Sequence, residues 1–445
     1  MTLFTTFTIM VLIYRFATWV YFTGIRVVSP FDSKARLWAA GRRNLFAKLE
    51  SDFGKKAKHE GPIVWMHCAS LGEFEQGRPV IETLKKRHPG VKILLTFFSP
   101  SGYEIRKDYP LADWVYYLPD DTPGNARRFL QLTQPAFAIF VKYEFWHFYL
   151  SQLKANGIAT LLIAASFRPE QPFFKWYGGL YRRMLQSFTT IFVQDASSKK
   201  LCETITSTPV VLAGDPRIDR VLEISNERPP LPLVEKFCGN APVLVCGSTW
   251  PQDEKLIAEA MQNPALCKWK IIIAPHEVHA SHLAFLEKTM QGKTIRYSTA
   301  QDLPHAELTT ARVLLIDGIG MLAHLYRFAK VAFVGGGNHK PGIHNTLEPA
   351  AFGVPLIFGR HYRRFPEAEF FARNGGAFVV KNIEDMVSAI LQLGNASQYK
   401  KSARIMTSFL KLNRGATGTI TEKIETLLAA RKTKKPTSHT GSQLI

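Results

Sequence analysis

Residues 335–355 read GGGNHKPGIHNTLEPAAFGVP and follow directly on the apolar run VAFV. The order is a buried strand, three glycines, a polar loop and the start of a helix, which is how an α/β protein presents backbone N–H groups to a ligand. Asn345 and Glu348 lie about one helical turn apart, so both side chains can face one ligand, and a carboxylate there suits ribose hydroxyls. The same spacing fits a capping box in which Glu348 reaches back to Asn345. The spacing alone leaves both interpretations open.

Composition sets the broad class of the protein. The chain has 445 residues, 46% hydrophobic and 21% charged, which are values of a globular protein long enough for two or three domains. Its formal net charge of +20 indicates an anionic partner, either nucleic acid, a membrane surface or a phosphorylated substrate. The 5 cysteines form no Cys-x-x-Cys pair and no Cys/His ligand spacing, so we expect a reducing compartment and no structural metal.

Apolar runs alternate with amphipathic stretches along both halves of the chain, among them PIVWMHCAS, VKILLTFFSP and AFAIFV in the first half and APVLVCGS, KWKIIIAP and RVLLIDG in the second. Buried strands joined by helical crossovers predict parallel, doubly wound sheets, whose ligands lie beyond the carboxyl ends of the strands. We therefore predict two Rossmann-like α/β domains that face a common cleft. The predicted segments are an N-terminal helix at 1–30, domains at 31–225 and 226–430, and a disordered tail at 431–445.

The N-terminal segment 3–28, LFTTFTIMVLIYRFATWVYFTGIRVV, is apolar and dense in aromatic residues. Its uninterrupted apolar run ends at Arg15, short of the roughly 20 residues that a spanning helix needs, and no small-residue cleavage site follows. We expect an anchor at the membrane surface, with a single-pass span and a helix packed on its own domain as the alternatives. The aromatic and basic segment 173–188 is either a second lipid contact or an ordinary amphipathic helix.

Three charged residues follow predicted strands of the first half. Glu73 is either the third helical residue of a capping box with Ser70 or a general base, since a partly desolvated carboxylate can accept a proton near pH 7. Glu144 is a second acidic group at a strand end or a solvated charge at a helix start. Arg217 is a fixed cation at the ligand edge or a surface residue of a turn.

In the second half, Ser248 and Thr249 precede a predicted helix, so their hydroxyls form a candidate phosphate site at a helix N-terminus. Thr249 and Gln252 also fit a capping box, with Pro251 tolerated in the first turn. The strand KWKIIIAP ends at a Pro-His-Glu triplet, and RVLLIDG is followed by Ile-Gly-Met.

The motifs that are missing narrow the class of enzyme. The sequence has no DxD triplet, no GxGxxG after the first strand of either half and no GxxxxGK[ST], so a nicotinamide enzyme or a P-loop NTPase is poorly supported. Carboxylates in the first half and nucleotide signals in the second suit a sugar-nucleotide glycosyltransferase of the GT-B architecture. Such an enzyme need not hold the donor through a divalent ion.

The chain resembles the 3-deoxy-D-manno-octulosonic acid (Kdo) transferases of lipid A synthesis. The matching motifs are ASLGEFEQGRPVI, YEFW, the order GST then APHE, and HNTLEPAAFGVP, and the resemblance runs to about Leu428. It implies an inverting glycosyltransferase without metal or cofactor, which transfers Kdo from CMP-Kdo to a tetraacylated disaccharide bisphosphate (lipid IVA). It also implies membrane association at the cytoplasmic face of the inner membrane.

The resemblance also assigns roles to residues. It implies that Glu73 is the general base, Glu144 the second carboxylate and Arg217 the cation that steadies the transition state. We further expect Ser248 and Thr249, with the histidine of APHE, to hold the phosphate and the sugar carboxylate. The residues that match the family's CMP contacts are Pro275, His276, Ile319, Gly320, Met321, Asn345, Thr346, Leu347 and Glu348.

Three positions depart from the family pattern. Lys142 stands where an acidic or polar residue is usual, Met321 where Glu is usual and Arg217 where Lys is common. These departures bear on acceptor specificity and on a side-chain contact at Met321.

Two alternative functions remain. One is another GT-B enzyme that uses a UDP-sugar, either a transferase or an epimerase. The other is a nucleic-acid binder, which only the net charge indicates, because the sequence has no RNP, KH or zinc pattern. We therefore expect no nucleic-acid partner.

Overall fold

A computed structural model describes residues 3–54, 60–290, 292–340 and 342–433. The chain divides into two compact units, the first reaching Asp219 and resuming at Gly415, and the second running from Arg220 to Arg414. The disordered tail predicted at 431–445 is wrong for residues 431–433, which belong to the last helix, and its remainder from 434 onward lies outside the described residues.

In chain order, the α-helices of the described residues are α1 (Leu3–Val28), α2 (Ser33–Gly41), α3 (Leu45–Phe53), α4 (Leu71–Arg87), α5 (Pro100–Arg106), α6 (Pro123–Thr133), α7 (His147–Ala155), α8 (Gly179–Leu185), α9 (Ala196–Glu203), α10 (Pro216–Asn226), α11 (Pro232–Cys238), α12 (Pro251–Ala260), α13 (Ala280–Thr289), α14 (His305–Thr310), α15 (Leu322–Leu325), α16 (Leu347–Ala351), α17 (Pro366–Asn374), α18 (Ile383–Gly394), α19 (Ala396–Asn413) and α20 (Ala416–Thr433).

The strands are β1 (Ile63–Cys68), β2 (Lys92–Phe97), β3 (Trp114–Tyr117), β4 (Phe137–Val141), β5 (Ala159–Ala165), β6 (Thr190–Val193) and β7 (Val210–Leu212) in the first unit. Those of the second unit are β8 (Val243–Thr249), β9 (Lys270–Pro275), β10 (Thr294–Arg296), β11 (Val313–Leu315), β12 (Val331–Val334), β13 (Leu356–Phe358) and β14 (Ala377–Val379).

Each unit is built on one parallel sheet. The first sheet has the order β3-β2-β1-β4-β5-β6-β7 and the second the order β10-β11-β9-β8-β12-β13-β14, and neighbouring strands of both sheets run parallel. The chain reverses its direction of sheet growth between β1 and β4 and between β8 and β12. In doubly wound sheets ligands bind at such switch points, beyond the carboxyl ends of the strands. We therefore expect ligand-binding residues after β1, β4, β8 and β12.

The first sheet is covered on both faces, as a doubly wound sheet requires. Along β1, Ile63 and Trp65 pack into one apolar cluster, whereas Val64 and Met66 pack into a second cluster. Alternate residues of a strand point to opposite faces, so helices must cover both sides of this sheet. The prediction of Rossmann-like doubly wound units is confirmed.

The boundary between the units differs from the predicted one at 225/226. It falls between Asp219 and Arg220, inside α10, because the end of the chain returns to the first unit. Asp219 receives the N–H groups of Gly415 and Thr417, at 2.6 and 2.7 Å, and so fixes the start of α20.

The assignment of residues 415–430 to the second domain is therefore wrong. Ile420, Ile424 and Leu428 are buried in the same apolar cluster as Phe74 and Val80 of α4. The amphipathic pattern of this segment predicted a helix, but such a pattern does not say which sheet the apolar face will cover.

Helix α1 packs one face on the first unit along its length. Near its start Phe7 meets the ring of His147, in its middle the Tyr14 hydroxyl donates to Asp121 Oδ2 at 2.6 Å, and near its end Phe22 is buried against Trp38. The alternative of a helix packed on its own domain thus describes this face.

The other face of α1 is apolar and exposed. Among the described residues, Phe7–Val28 is the one segment long and apolar enough to cross a bilayer, with a mean hydropathy of 1.4. The exposed apolar side chains of this face and its end are Ile9, Leu12, Ile13, Phe16, Trp19, Val20, Val27 and Val28.

Candidate functional site

Glu73 lies at the carboxyl end of β1, in the first turn of α4. The Ser70 N–H donates to Glu73 Oε2 at 2.9 Å, so the predicted capping contact is present. Burial, and then the charge of Glu144, raise the pKa of Glu73 to about 7, although the N–H groups of Ser70 and Ala69 and the charge of Lys142 act in the opposite direction. The two interpretations of Glu73 are therefore compatible, because the cap fixes the orientation of a carboxylate that can still gain or lose a proton near neutral pH.

Glu144 follows β4 and is held by the rings of His67 and Trp146 rather than solvated. Its side chain is largely buried, and its Oε2 lies 2.9 Å from His67 Nε2 and 2.7 Å from Trp146 Nε1. The interpretation of Glu144 as a solvated charge at a helix start is wrong. The structure places this carboxylate close enough to Glu73 for its charge to raise the pKa of Glu73.

Sequence reasoning missed His67, which is fully buried on β1. His67 Nδ1 lies 2.9 Å from Thr96 Oγ1, and the same oxygen accepts the indole N–H of Trp65 at 2.8 Å. The only signal was a histidine among apolar residues in PIVWMHCAS, and its partners come from another strand and from a distant loop. Spacing along the chain could not connect them.

Lys142 immediately follows β4 and has a φ of +60°, in the left-handed region that non-glycine residues rarely adopt. Such residues cost about 1–3 kcal/mol and concentrate at functional sites, where the surrounding structure holds them in place. The ammonium lowers the pKa of both Glu73 and Asp215. The departure noted at this position therefore adds a positive charge to the acidic site.

Arg217 is paired with a buried carboxylate and is not a surface residue of a turn. Its Nη2 lies 2.6 Å and its Nε 3.0 Å from Asp215 Oδ2, and Gln76 and Gln194 donate to the same oxygen. Burial by itself raises the pKa of Asp215, but the charge and the hydrogen bonds of Arg217 lower it overall. Arg217 is therefore held rigidly, and Asp215 offsets much of its charge.

In the second unit, Asp253 forms hydrogen bonds with the loop that follows β12 and begins with Gly335, Gly336 and Gly337, here called the glycine loop. The fully buried Asp253 carboxylate accepts the N–H of Gly336 at 2.8 Å, the side-chain amide of Asn338 at 2.9 Å and the N–H of Trp250 at 3.1 Å. A Cβ on Gly335 would lie 2.2 Å from the carbonyl oxygen of Ser248, so only glycine fits there. The loop is thus fixed closely against the end of β8.

The capping box predicted from Thr249 and Gln252 is wrong by one residue. Helix α12 starts at Pro251, its N-cap is Trp250, and Asp253 supplies the capping carboxylate. Proline fits the first helical position, where its missing N–H costs nothing, and this moves the cap to the preceding residue.

The two hydroxyls expected at a phosphate site differ in their surroundings. Thr249 is fully buried and its hydroxyl donates to Glu254 Oε1 at 2.9 Å, so the expectation that this hydroxyl meets a ligand is wrong. Ser248 is half-buried, has a φ of +53° and lies at an irregularity in the pairing of β8 with β9. Ser248 remains the candidate hydroxyl at this strand end.

Trp250 carries a cluster of histidines. Its ring stacks on His276 with centroids 4.6 Å apart, and its Nε1–H donates to His344 Nε2 at 3.0 Å. Burial, and then neighbouring His276 and His339, lower the pKa of His344 to about 4, and burial also lowers the pKa of His276. These imidazoles are neutral at pH 7, so they offer a stacking face and hydrogen bonds rather than positive charge.

Asn345 and Glu348 contact each other, but not as the predicted capping box. Asn345 Nδ2 donates to Glu348 Oε1 at 3.0 Å, and Asn345 Oδ1 accepts the N–H of Leu347, while Thr346 is the N-cap of α16. The Glu348 carboxylate is half-buried and oriented by the Asn345 amide. Thr346 and Leu347 are 1% exposed, so a ligand would meet their backbone.

The remaining predicted contacts lie on neighbouring strand ends. Pro275 ends β9 and His276 follows it, whereas Ile319, Gly320 and Met321 follow β11, with a φ of +100° at Gly320 and 92% exposure at Ile319. Because β11, β9, β8 and β12 are adjacent, the sheet brings all four predicted donor-binding segments to one edge. Contact with a donor at each of these residues stays a prediction.

A group of possible metal ligands lies close to this edge. Within the part of the chain that the structure describes, Glu277, His279 and His282 offer ligand atoms within 4.8 Å of one another. Both ring nitrogens of His282 are already engaged, one with the Glu277 carbonyl and the other with Glu254, each at 2.9 Å. A metal would have to displace one of these bonds.

Comparison with known proteins gives a consistent picture. The family described as 3-deoxy-D-manno-octulosonic-acid transferase (kdotransferase) matches residues 43–220. The 3-deoxy-D-manno-octulosonic acid transferase of Aquifex aeolicus is 27% identical over 354 residues, which cover 78% of this chain and 91% of that protein. The transferase of the same name from Haemophilus influenzae is 29% identical over 313 residues, which cover 68% of this chain and 72% of that protein.

Solved structures of nucleotide-sugar enzymes share the fold. The UDP-GlcNAc 2-epimerase of Neisseria meningitidis is 16% identical, with a TM-score of 0.54, and the match covers 83% of this chain and 100% of that one. Similar likenesses extend to other enzymes of this architecture, and the predicted GT-B fold class is confirmed.

Proposed function

We propose, on the premise that this chain belongs to the 3-deoxy-D-manno-octulosonic acid (Kdo) transferase family, that it transfers Kdo from CMP-Kdo to a lipid A precursor. Family membership makes the protein a glycosyltransferase of lipopolysaccharide synthesis. The main support for the proposal is the environment of Glu73. This half-buried carboxylate lies at a switch point of the first sheet, and its pKa is about 7.

The proposed reaction is a single inverting displacement without a metal. A sugar hydroxyl of a tetraacylated disaccharide bisphosphate attacks the anomeric carbon of Kdo, its proton passes to Glu73, and CMP leaves with the electrons of the breaking C–O bond. We assign Glu144 to stabilising the positive charge that grows on the sugar ring. We assign Arg217 to offsetting the negative charge of the leaving phosphate, although Asp215 offsets part of the charge of Arg217.

We assign donor binding to the carboxyl edge of the second sheet. The oriented carboxylate of Glu348 suits the ribose hydroxyls, and the glycine loop beside Ser248 offers backbone N–H groups to the phosphate. The neutral ring pair of Trp250 and His276 offers a stacking surface. Thermal shift with CMP and with UDP tests this assignment, because stabilisation by UDP alone would favour the alternative of a UDP-sugar enzyme.

We further propose that the protein acts at the cytoplasmic face of the inner membrane, with α1 lying in the membrane surface rather than crossing it. Contacts from Phe7 to Phe22 tie one face of α1 to the first unit, which leaves the opposite apolar face for lipid. Trp176, which is 92% exposed, lies in the turn before α8, and Gly179 of α8 is close to Met10 of α1. The turn supports the interpretation of 173–188 as a second lipid contact.

Replacing Leu12 and Phe16 together with serine should lower binding to anionic vesicles roughly tenfold or more, because each buried large apolar side chain contributes about 1.5–3 kcal/mol. Trp176→Ser should lower binding by a smaller factor. Flotation with vesicles that contain phosphatidylglycerol measures both effects. The matched control is Leu412→Ser, at an apolar position of the second unit that is even more exposed than Leu12 and Phe16. Full vesicle binding by the double variant, with an unchanged circular dichroism spectrum, would contradict the proposed anchor.

The acid limb of the kcat/KM–pH profile should reflect the ionisation of Glu73. Because the base acts in its ionised form and its pKa is about 7, kcat/KM should rise with pH and level off above about pH 8. An unperturbed glutamate would level off more than two pH units lower. Initial rates with CMP-Kdo between pH 5 and 9 measure the inflection. A profile that is flat from pH 5 upward would remove Glu73 from the role.

A further inference from the structure

We propose that His67 is a positioning residue, which together with Trp146 holds the Glu144 carboxylate in place beside Glu73. This inference rests on the proposed function, because it concerns the carboxylate pair of the first unit. Neither the sequence motifs nor the family resemblance assigns a role to His67.

The hydrogen bonds around His67 assign its tautomer. Thr96 stands opposite His67 in the pairing of β1 with β2, and its oxygen already accepts the indole N–H of Trp65. The Thr96 hydroxyl proton is then available to His67 Nδ1 at 2.9 Å. With Nδ1 as the acceptor, His67 Nε2 carries a proton and faces Glu144.

Glu144 Oε2 consequently receives two N–H donors, from His67 at 2.9 Å and from Trp146 at 2.7 Å. The 3.2 Å separation of Trp146 Nε1 and His67 Nε2 is then a contact between two donors that share one acceptor. The two donors therefore fix the Glu144 carboxylate oxygen at the end of β4, close to Glu73.

A satisfied core histidine is the ordinary explanation of such a residue, and two observations go beyond it. The side chain is fully buried, and its ring contacts Phe140 at a centroid distance of 5.6 Å, where an apolar side chain would pack without polar partners. Its hydrogen bonds also form a series that starts at Trp65 and Thr96 inside the sheet and ends at the Glu144 carboxylate. A buried series of hydrogen-bonded polar groups is costly unless every group has a partner. Because this series ends at Glu144, we infer that it serves to hold that carboxylate.

The position of Glu144 affects the pKa of Glu73, because the negative charge of Glu144 raises that pKa. The groups that face Glu73 are Glu144, Lys142 and the N–H groups of Ser70 and Ala69, and among the charged ones Glu144 alone raises its pKa. If His67 cannot donate, Glu144 keeps only the Trp146 donor, is held less firmly beside Glu73, and its charge acts on Glu73 less strongly. The pKa of Glu73 should then fall toward its ordinary value.

Glutamine and methionine have nearly the same volume, which makes His67→Gln and His67→Met a matched pair. Glutamine can place an amide N–H where histidine places Nε2–H, whereas methionine cannot donate. We expect the acid inflection of kcat/KM in His67→Met to move down by roughly one pH unit, with kcat lowered about tenfold or more. We expect His67→Gln to keep the inflection near that of the unchanged protein.

Trp146→Phe removes the other donor from a half-buried position and should move the inflection in the same direction, so the test survives if His67→Met does not fold. CMP binding and Tm are measured for all three variants, and CMP binding should not change. If the inflection stays unshifted in both His67→Met and Trp146→Phe, while activity and Tm fall together, His67 has only a structural role. If Glu73→Gln retains the inflection and normal turnover, the proposed function fails instead, whatever the His67 variants show.

Discussion

Glu73→Gln is expected to lower turnover about 10²–10⁴-fold while CMP binding stays unchanged. Glutamine keeps the volume of the side chain and an oxygen that accepts the Ser70 N–H, so the start of α4 is preserved. It cannot accept the proton of the attacking hydroxyl. Turnover with CMP-Kdo and calorimetric titration with CMP separate the two properties.

The matched control is Glu75→Gln, two residues along the same helix. Glu75 is partly exposed and pairs with Arg106 at 2.7 Å, so its replacement should leave turnover within about twofold. Near-normal turnover in Glu73→Gln, or an equal loss in both variants, would contradict the assignment of Glu73 as the base.

The same substitution should change stability in the direction opposite to activity. The pKa of Glu73 is about 7 in the folded protein and near 4.5 when unperturbed, so its contribution to stability is full below about pH 4.5 and is lost as pH rises through 7. Glu73→Gln should therefore have a higher Tm than the unchanged protein at pH 8.5 and no advantage at pH 4.5. Thermal melts at the two pH values give this result without any substrate.

Asp253→Ala is expected to abolish CMP binding at millimolar concentration and to destabilise the second unit by about 3–5 kcal/mol. The substitution leaves three donors without a partner, namely the N–H groups of Gly336 and Trp250 and the Asn338 amide. Each buried donor left unpaired costs about 1–3 kcal/mol. The glycine loop would no longer be fixed against the end of β8, where we place the donor phosphate.

Urea unfolding and CMP titration measure the two effects of Asp253→Ala. The control is Glu259→Ala, because Glu259 is an exposed acid on the same helix. Asp253→Asn is the milder companion variant, since it keeps one acceptor oxygen and the volume of the side chain. Normal CMP affinity in a folded Asp253 variant would mean that the glycine loop does not form the phosphate site.

The two parallel, doubly wound sheets could be anticipated from the sequence because long apolar runs alternate with amphipathic helices. The same reasoning selected Glu73, Glu144 and the Asn345–Glu348 pair, since each lies between a strand and the body of the next helix. Their partners could not be read in this way. His67 meets Glu144 only because β1 and β4 are neighbours in the sheet, and that adjacency is a property of the fold.

Local chemistry explains the remaining differences. The cap of α12 moved because proline at 251 takes the first helical position and Asp253 supplies the acceptor, whereas the pattern matched Thr249 with Gln252. The Thr249 hydroxyl turned inward because a buried glutamate, Glu254, lies one helical turn further on. Which acceptor a group bonds to depends on distances in the folded protein, and the spacing of residues along the sequence does not determine these distances.

Mass analysis of the glycolipid formed from CMP-Kdo and a tetraacylated disaccharide bisphosphate, in the presence of a chelator, tests the proposed transfer of Kdo. We expect the lipid to gain the mass of one or more Kdo residues, CMP to appear in equal amount, and the Glu73→Gln protein to form almost none of this product. Release of CMP without a heavier lipid, or a heavier lipid formed from a UDP-sugar and not from CMP-Kdo, would contradict it.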